Sequence, residues 1–422
     1  MRHMSPMFFI LVIGFIAVID LYTFRGVRIL TLNMGYRTKL ILYIMYWLIP
    51  LTIIGTLFYM TSHRRGISTP SHFRVVSFLM GTFLLFYLPK LVFIVFQLGN
   101  DIIRVFGHLI SWVGKPEGKL ARTASGMTRA EFLTKAGIIV AAIPFISLLN
   151  GILRGRFNYQ VKNVKLAFDN LPGSFNGYRI LQISDWHIGS FYGHLAQVRK
   201  AVDLILEQKA DIILFTGDIV NNMAAELPEF IGELKRLTAP NGVYSILGNH
   251  DYGEYVDWPS EEKHQENMEE LFRLQKEIGF KLLRNDAFVL TKGNDKIGVA
   301  GVENWGLPPF PQYGDLDKAL DPIRDMPFKI LMSHDPTHWD AEIRVKSDVD
   351  LTLSGHTHGM QFGINIPGVK WSPVKYRYPR WAGLYREGSQ YLYVNVGIGY
   401  IAFPGRVGFL PEITVFELAK KA

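Results

Sequence analysis

Apolar residues crowd the first 150 positions in four runs; beyond them, short apolar stretches alternate with amphipathic ones. The runs extend roughly from Pro6 to Leu21, Leu40 to Met60, Val75 to Leu98 and Phe132 to Leu149. Each is long enough to consider as a membrane helix. The second carries no charge after Lys39, and the third holds only Lys90, just after Pro89. A buried helical bundle is the soluble alternative, but uncharged runs of about twenty residues favour the bilayer. The first run is short enough for a signal peptide, yet no small-residue cleavage pattern follows it and three more runs do, so an anchor is predicted.

After a segment that reads as a linker, Gly151 to Asn163, the pattern becomes that of an α/β domain over 164–422. Strands are predicted at Arg179–Ser184, Asp211–Thr216, Gly242–Leu247, Lys296–Val302, Phe328–Met332 and Val349–Leu353. Helical periodicity falls on Leu195–Gln208, near Leu227–Leu237 and on Glu261–Ile278. Residues 1–150 form the membrane anchor region of this scheme.

Composition changes the picture only in part. Of 422 residues, 49% are hydrophobic and 19% charged, averages that conceal the split between the two halves. The formal net charge of +8 is no argument for nucleic acid, because much of it lies in basic clusters between apolar runs, as in membrane proteins. Arg25, Arg28, Arg37 and Lys39 follow the first run; Arg104, Lys115, Lys119, Arg122 and Arg129 separate the third from the fourth. Only Arg64, Arg65 and Arg74 follow the second. This asymmetry predicts a multi-pass protein whose C-terminal domain lies outside the cytoplasm. Arg154, Arg156 and Lys162 point the other way. Without cysteine, disulfides and thiolate sites are excluded.

Thr128-Arg129-Ala130-Glu131-Phe132-Leu133 is similar to a twin-arginine export signal, with Ala130 in place of the second arginine. The same residues also read as a helix start capped by Thr128 with Glu131 three later.

Polar residues with metal-binding chemistry end five of the predicted strands. They are Asp185 with His187, Asp218, Asn249 with His250 and Asp251, His334, and the pair His356 and His358. Side chains two apart in an extended segment share a face, and Gly355 and Gly359 allow the backbone to bend around the last pair. Open α/β sheets place their sites at the carboxyl ends of strands. One such tip commonly just caps the next helix; five in one domain are hard to explain by capping.

In order, the blocks DxH, GD, GNHD, SHxP and GHTHG resemble the calcineurin-like metallophosphoesterase superfamily from about Val161 to the C-terminus. GVYSILGNHDYG, Leu283-Arg284-Asn285, Gly301-Val302-Glu303 and SHDPTHWD resemble more narrowly its transmembrane proteins, related to bacterial YkuE/YaeI-type phosphodiesterases. The resemblance implies an α/β/β/α metallophosphoesterase sandwich behind a bundle of about four transmembrane helices. It implies that Asp185, His187 and His358 hold one divalent cation, that Asn249, His334 and His356 hold a second, and that Asp218 bridges. A bridging carboxylate suits cations roughly 3.5–4 Å apart. Mixed Asp, Asn and His donors suit Mn2+, Fe2+ or Zn2+. The resemblance further implies in-line attack by a metal-bridging hydroxide. His250 would protonate the leaving oxygen or stabilise developing charge, with Asp251 as the carboxylate orienting its imidazole.

His338 and His194 are expected at helix starts or on the surface. His264 is expected to be solvated, and His3, His63, His72 and His108 lie in the membrane half. Between GHTHG and the final strands lies a basic, aromatic, Pro-rich stretch with Trp371, Lys375, Tyr376, Arg377, Tyr378, Arg380 and Trp381. It reads either as a cap over the site or as an element touching lipid head groups.

The function expected is hydrolysis of a phosphodiester or phosphomonoester, with a lipid or lipid-linked nucleotide as the leading substrate class. The partners are that phosphate ester and the bilayer, with no nucleic acid. A UDP-2,3-diacylglucosamine-type pyrophosphate hydrolase, which requires a cytoplasmic site, is the alternative within the enzymes. A catalytically weak binding or regulatory module is the alternative outside them, and the full set of ligand residues argues against it. The spans carry few ionisable groups that would mark a transport pathway, Lys90 being the main exception.

Overall fold

The computed structural model describes residues 6–62, 70–113 and 128–421. Arg64, Arg65, Lys115, Lys119 and Arg122 of the basic clusters, and His3 and His63, lie outside these.

The N-terminal unit contains four helices, α1 (Pro6–Leu30), α2 (Tyr36–Ser62), α3 (Pro70–Val113) and α4 (Arg129–Leu153). All four are long and apolar enough to cross a membrane. They outrun the apolar stretches, because α1 continues past Asp20 and carries Arg25 and Arg28, which were expected in a loop. Asp20 is fully buried. Its carboxylate pairs with the Lys90 ammonium and accepts a hydrogen bond from Tyr87 Oη at 2.5 Å. The Lys90 ammonium also lies over the Tyr46 and Tyr87 rings, 4.5 and 4.6 Å from their centroids. A charge in hydrocarbon is costly unless paired, so the exception noted at Lys90 has its partner in α1. At α4, Thr128 Oγ1 accepts from Glu131 N at 3.2 Å while Glu131 accepts from Thr128 N at 2.9 Å, a capping box.

The C-terminal unit runs from Gly151. The segment 151–163 is not a linker, as α4 ends at Leu153 and strand β1 begins at Gln160, pairing with Glu412. The strands that follow β1 (Gln160–Phe168) are β2 (Arg179–Ile183), β3 (Ile212–Phe215), β4 (Val243–Ser245), β5 (Phe280–Leu282), β6 (Asp286–Lys292) and β7 (Asp295–Gly301). Then come β8 (Lys329–Met332), β9 (Leu351–Ser354), β10 (Ile364–Ile366), β11 (Val369–Trp371), β12 (Gly383–Glu387), β13 (Gln390–Val394) and β14 (Glu412–Lys420).

One sheet has the order β1-β14-β2-β3-β4-β5, the other β12-β13-β9-β8-β7-β6, and β10 and β11 form a separate hairpin. β2 to β5 are mutually parallel, as are β7, β8, β9 and β13. Inner-face side chains such as Ile180, Leu214, Val299, Ile330, Leu353 and Phe416 make one core between the sheets. Each contributes roughly 1.5–3 kcal/mol by burial. The outer face of the first sheet packs on helices Leu195–Glu207 and Glu261–Glu277; a further core packs on the second sheet around Trp339 and Ile343. This is the expected α/β/β/α sandwich. The helix expected near Leu227–Leu237 is reduced to a 3₁₀ turn, Pro228–Phe230, and one helical turn, Ile231–Leu234.

Candidate metal centre

The ends of β2, β3, β4, β8 and β9 lead into the residues singled out by the sequence, and these converge. Two groups have donor atoms within 4.8 Å of one another: Asp185, His187 and His358, and Asp218, His334 and His356. His187 Nε2 and His358 Nε2 are 3.0 Å apart, and Asp185 Oδ1 lies 3.3 Å from the latter. Asp218 Oδ2 lies 3.1 Å from His334 Nε2 and 3.6 Å from His187 Nε2, so one carboxylate reaches both groups. Asn249 Oδ1 meets His356 Nδ1 at 2.8 Å.

The backbone is strained to make this approach. Asp185, His187, Asp218, His356 and His358 all have left-handed φ, between 49° and 70°. That conformation costs a non-glycine residue about 1–3 kcal/mol and clusters at functional sites. Gly217 and Gly355 permit the crowding: a Cβ on Gly217 would lie 2.6 Å from Gly248 N, and one on Gly355 would collide with Ser184 and Asp185.

Outer contacts select which nitrogen of each ring faces inward. His334 Nδ1 pairs with the Thr216 carbonyl at 2.7 Å, leaving Nε2 towards Asp218. His356 Nε2 lies 2.8 Å from Tyr378 Oη and 3.4 Å from Asp335 Oδ2, leaving Nδ1 towards Asn249. The buried Arg406 guanidinium donates to the carbonyls of Val396 (2.7 Å) and His358 (3.1 Å), fixing the backbone that presents the His358 ring. The Asn249 amide donates to Tyr255 Oη at 2.8 Å, which turns its oxygen inward.

Burial dominates the electrostatics. It pushes Asp185 up to about 7 and His187 down to about 3, and it lowers His250, His356 and His358 as well. Burial would raise Asp218, but the charge of His334 and the hydrogen bond between them overcome it and hold the carboxylate well below its usual range. His334 is raised to about 10: burial opposes the shift, and the Asp218 charge overcomes it.

A cation fits this set on chemical grounds. Two buried Nε2 atoms facing each other at 3.0 Å can share at most one hydrogen in their neutral forms, and His334 Nε2 is buried against the Asp218 carboxylate at 3.1 Å. Ring nitrogens packed against one another and against carboxylates are what a divalent ion would satisfy.

His250 faces the centre without joining either group: its ring is edge-on to His187, with centroids 4.9 Å apart, and its Nδ1 lies 2.7 Å from the Asn221 carbonyl. The expectation that Asp251 orients His250 is corrected here. Asp251 instead accepts from the backbone N–H of Asp218 (2.8 Å), Ile219 (2.9 Å), Val220 (3.2 Å) and Gly248 (2.9 Å), because the tight turn at Gly248–Asp251 folds the carboxylate under the loop after β3.

Away from the centre, His338 is buried, held by Ser333 Oγ at 2.9 Å and stacked on Trp305. His194 precedes helix Leu195–Glu207, as expected. His264, expected to be solvated, binds the Tyr252 carbonyl at 2.6 Å and stacks on Trp258. Sequence reasoning placed Tyr378 in a loop of undecided role and missed Asp335, Tyr255 and Arg406. Asp335 stands inside the SHDP block, which was a usable signal, whereas Arg406 lies in a stretch without one. In the aromatic stretch, Tyr378, Trp381 and Val374 pack with Phe409 and Val396, whereas Tyr376 stays exposed.

Two family models match the chain. Residues 178–360 match "Calcineurin-like phosphoesterase", and residues 2–156 match "Probable Calcineurin-like phosphoesterase, transmembrane domain". The chain is 34% identical over 252 residues to the uncharacterized metallophosphoesterase YkuE of Bacillus subtilis, covering 59% of this chain and 81% of that protein. It is 28% identical over 299 residues to the transmembrane protein with metallophosphoesterase domain of Danio rerio, covering 69% of this chain and 63% of the fish protein. With phosphodiesterase YaeI of Escherichia coli it shares 28% over 247 residues, covering 57% and 82% respectively.

Proposed function

Because the chain belongs to the calcineurin-like phosphoesterase family, we propose that it is a membrane-anchored phosphoesterase that cleaves a phosphodiester or phosphomonoester with two divalent cations. The observation that carries this reading is the meeting of His187 and His358 with Asp185, and of His334 and His356 with Asn249, around one shared carboxylate, Asp218. Asp185, His187 and His358 would hold one ion, Asn249, His334 and His356 the other, with Asp218 common to both. Such ions supply Lewis acidity to the phosphoryl oxygens and activate water at neutral pH.

His250 acts from beside them. Its Nδ1–H donates to the Asn221 carbonyl, so Nε2 is the nitrogen free for the substrate. Burial keeps the ring neutral. The negative charge of an incoming phosphate ester favours the imidazolium, and that proton passes from Nε2 to the leaving oxygen as the P–O bond breaks.

We further assign a lipid or lipid-linked phosphoester as the substrate class, supported by the membrane helices and by Tyr378 and Phe310 against His356. The loop charges favour an extracytoplasmic domain. The test is hydrolysis of bis-p-nitrophenyl phosphate and p-nitrophenyl phosphate by the full chain in nanodiscs, metal-free and with Mn2+, beside Asp218→Asn. Mn2+-dependent release lost in the variant is expected. A folded chain that turns over neither compound with Mn2+, Fe2+ or Zn2+ would overturn the reading.

A further inference from the structure

The β10–β11 hairpin leaves an apolar face open to water. Its register pairs Ile364 with Trp371, Asn365 with Lys370 and Ile366 with Val369. Directly opposed residues share a face and alternate residues along a strand do too. One face is therefore Ile364, Ile366, Val369 and Trp371, all apolar; the other is Asn365 and Lys370. Lys370 donates to the Ala382 carbonyl at 2.5 Å and lies 5.0 Å from the Trp381 ring centroid. Asn365 and Lys370 are exposed and Trp371 is half-buried. The apolar face is also left open to water, with Ile364 47%, Ile366 59% and Val369 47% exposed.

What surrounds this face is equally selective. Tyr376 is 77% exposed, lies 3.5 Å from Trp371 Nε1 and carries the Lys375 ammonium 5.2 Å from its ring centroid. From Gly359 to Trp381 the chain has Lys370, Lys375, Arg377 and Arg380 and no acidic residue. Arg380 is paired with Glu387 at 2.7 Å and Asp340 at 3.5 Å, so Lys370, Lys375 and Arg377 are the cations that carry the argument. Exposed aliphatic tips, Trp and Tyr beside them and a cationic flank are the chemistry of a membrane interface with anionic head groups. The domain that bears the hairpin follows α4 without a linker, so its local concentration at a bilayer is high.

We propose that the hairpin Ile364–Trp371 inserts its apolar face into the head-group and upper acyl region of an anionic bilayer, as a second membrane contact of the C-terminal domain. This contact does not depend on what the metal centre hydrolyses. A second copy of the chain or a soluble protein partner would cover the same face but would shield it from lipid.

The chain has no cysteine, so a single reporter can be placed. The full chain carrying Ile366→Cys, labelled with a nitrobenzoxadiazole fluorophore, is reconstituted singly in nanodiscs of phosphatidylcholine and phosphatidylglycerol with and without doxyl-labelled lipid. Glu262→Cys, on the exposed side of helix Glu261–Glu277, serves as the reference. Insertion predicts blue-shifted emission at 366 and doxyl quenching at least about twofold stronger than at 262, both reduced when Ile364 and Val369 are also changed to Asp. Quenching equal at the two positions would overturn the proposal, whether emission at 366 is that of water or is blue-shifted by a protein cover. Ile366 is exposed, so its replacement leaves the fold intact.

Discussion

His187 Nε2 and His358 Nε2 face each other at 3.0 Å, one ring from the end of β2 and the other from the end of β9, on different sheets. Both rings are held neutral by burial, so the pair has no strong attraction of its own. Binding of a divalent ion should therefore clamp the two sheets. Adding Mn2+ to chelator-treated protein is expected to raise the unfolding midpoint of the C-terminal domain by several degrees, since each kcal/mol shifts it by about 2–4 °C at this size. In His358→Ala most of that increment should vanish. Scanning calorimetry with and without Mn2+ reads it, and an unchanged increment would remove His358 from the ligand set.

His250 and Asp251 are adjacent but should separate cleanly by mutation. His250→Ala is expected to lower kcat by about 10²–10⁴-fold with an unchanged unfolding midpoint. Asp251→Ala strands four backbone N–H groups and should cost about 1–3 kcal/mol for each one left buried and unpaired. Steady-state kinetics beside thermal melts distinguishes the two. A stable, inactive Asp251→Ala would restore the carboxylate to a direct catalytic role.

His338 predicts an acid limb in stability. Burial pushes it from its ordinary 6.5 down to about 4, so between these values the unfolded chain binds a proton that the folded one does not. Its contribution is complete above pH 6.5 and is lost as the pH falls towards 4, by about 3 kcal/mol. Denaturant melts of His338→Gln across this range should show a flatter pH dependence than the parent. Equal slopes would mean that other groups carry the acid limb.

Lys90 and Asp20 should behave as a unit. Lys90→Met or Asp20→Leu alone leaves a charge inside the helices and is expected to destabilise the membrane unit by about 3–5 kcal/mol. The double variant should recover most of the loss. Unfolding of the full chain in nanodiscs, followed by loss of helical circular dichroism, measures this. Additive losses would show that the two side chains do not depend on each other.

Much of the centre was legible because its donors stand at the ends of short buried strands and parallel strands bring those ends together. Asp185, Asp218, Asn249, His334 and His356 follow one rule five times. The rule fails where partners are remote or where the backbone turns. Gln160 to Asn163 read as a linker because their ladder lies with Glu412 to Val415, far along the chain. Asp251 read as the partner of His250 because adjacency in sequence says nothing about which way a tight turn points two neighbouring side chains. Asp20 went unremarked at the end of an apolar run until α3 supplied an ammonium at its depth. The Glu342 contact of His338 comes from four-residue spacing at a helical turn, and its Ser333 contact from the residue just after β8; neither leaves a pattern in the sequence.

The last strand, β14, lies between β1 and β2 and is parallel to the first and antiparallel to the second. Without β14 this sheet falls into two pieces, β1 alone and β2 to β5. Every candidate metal ligand precedes β14 in the sequence. A chain lacking Glu412–Lys420 would therefore carry all of them and still lack the strand that joins β1 to the sheet presenting Asp185.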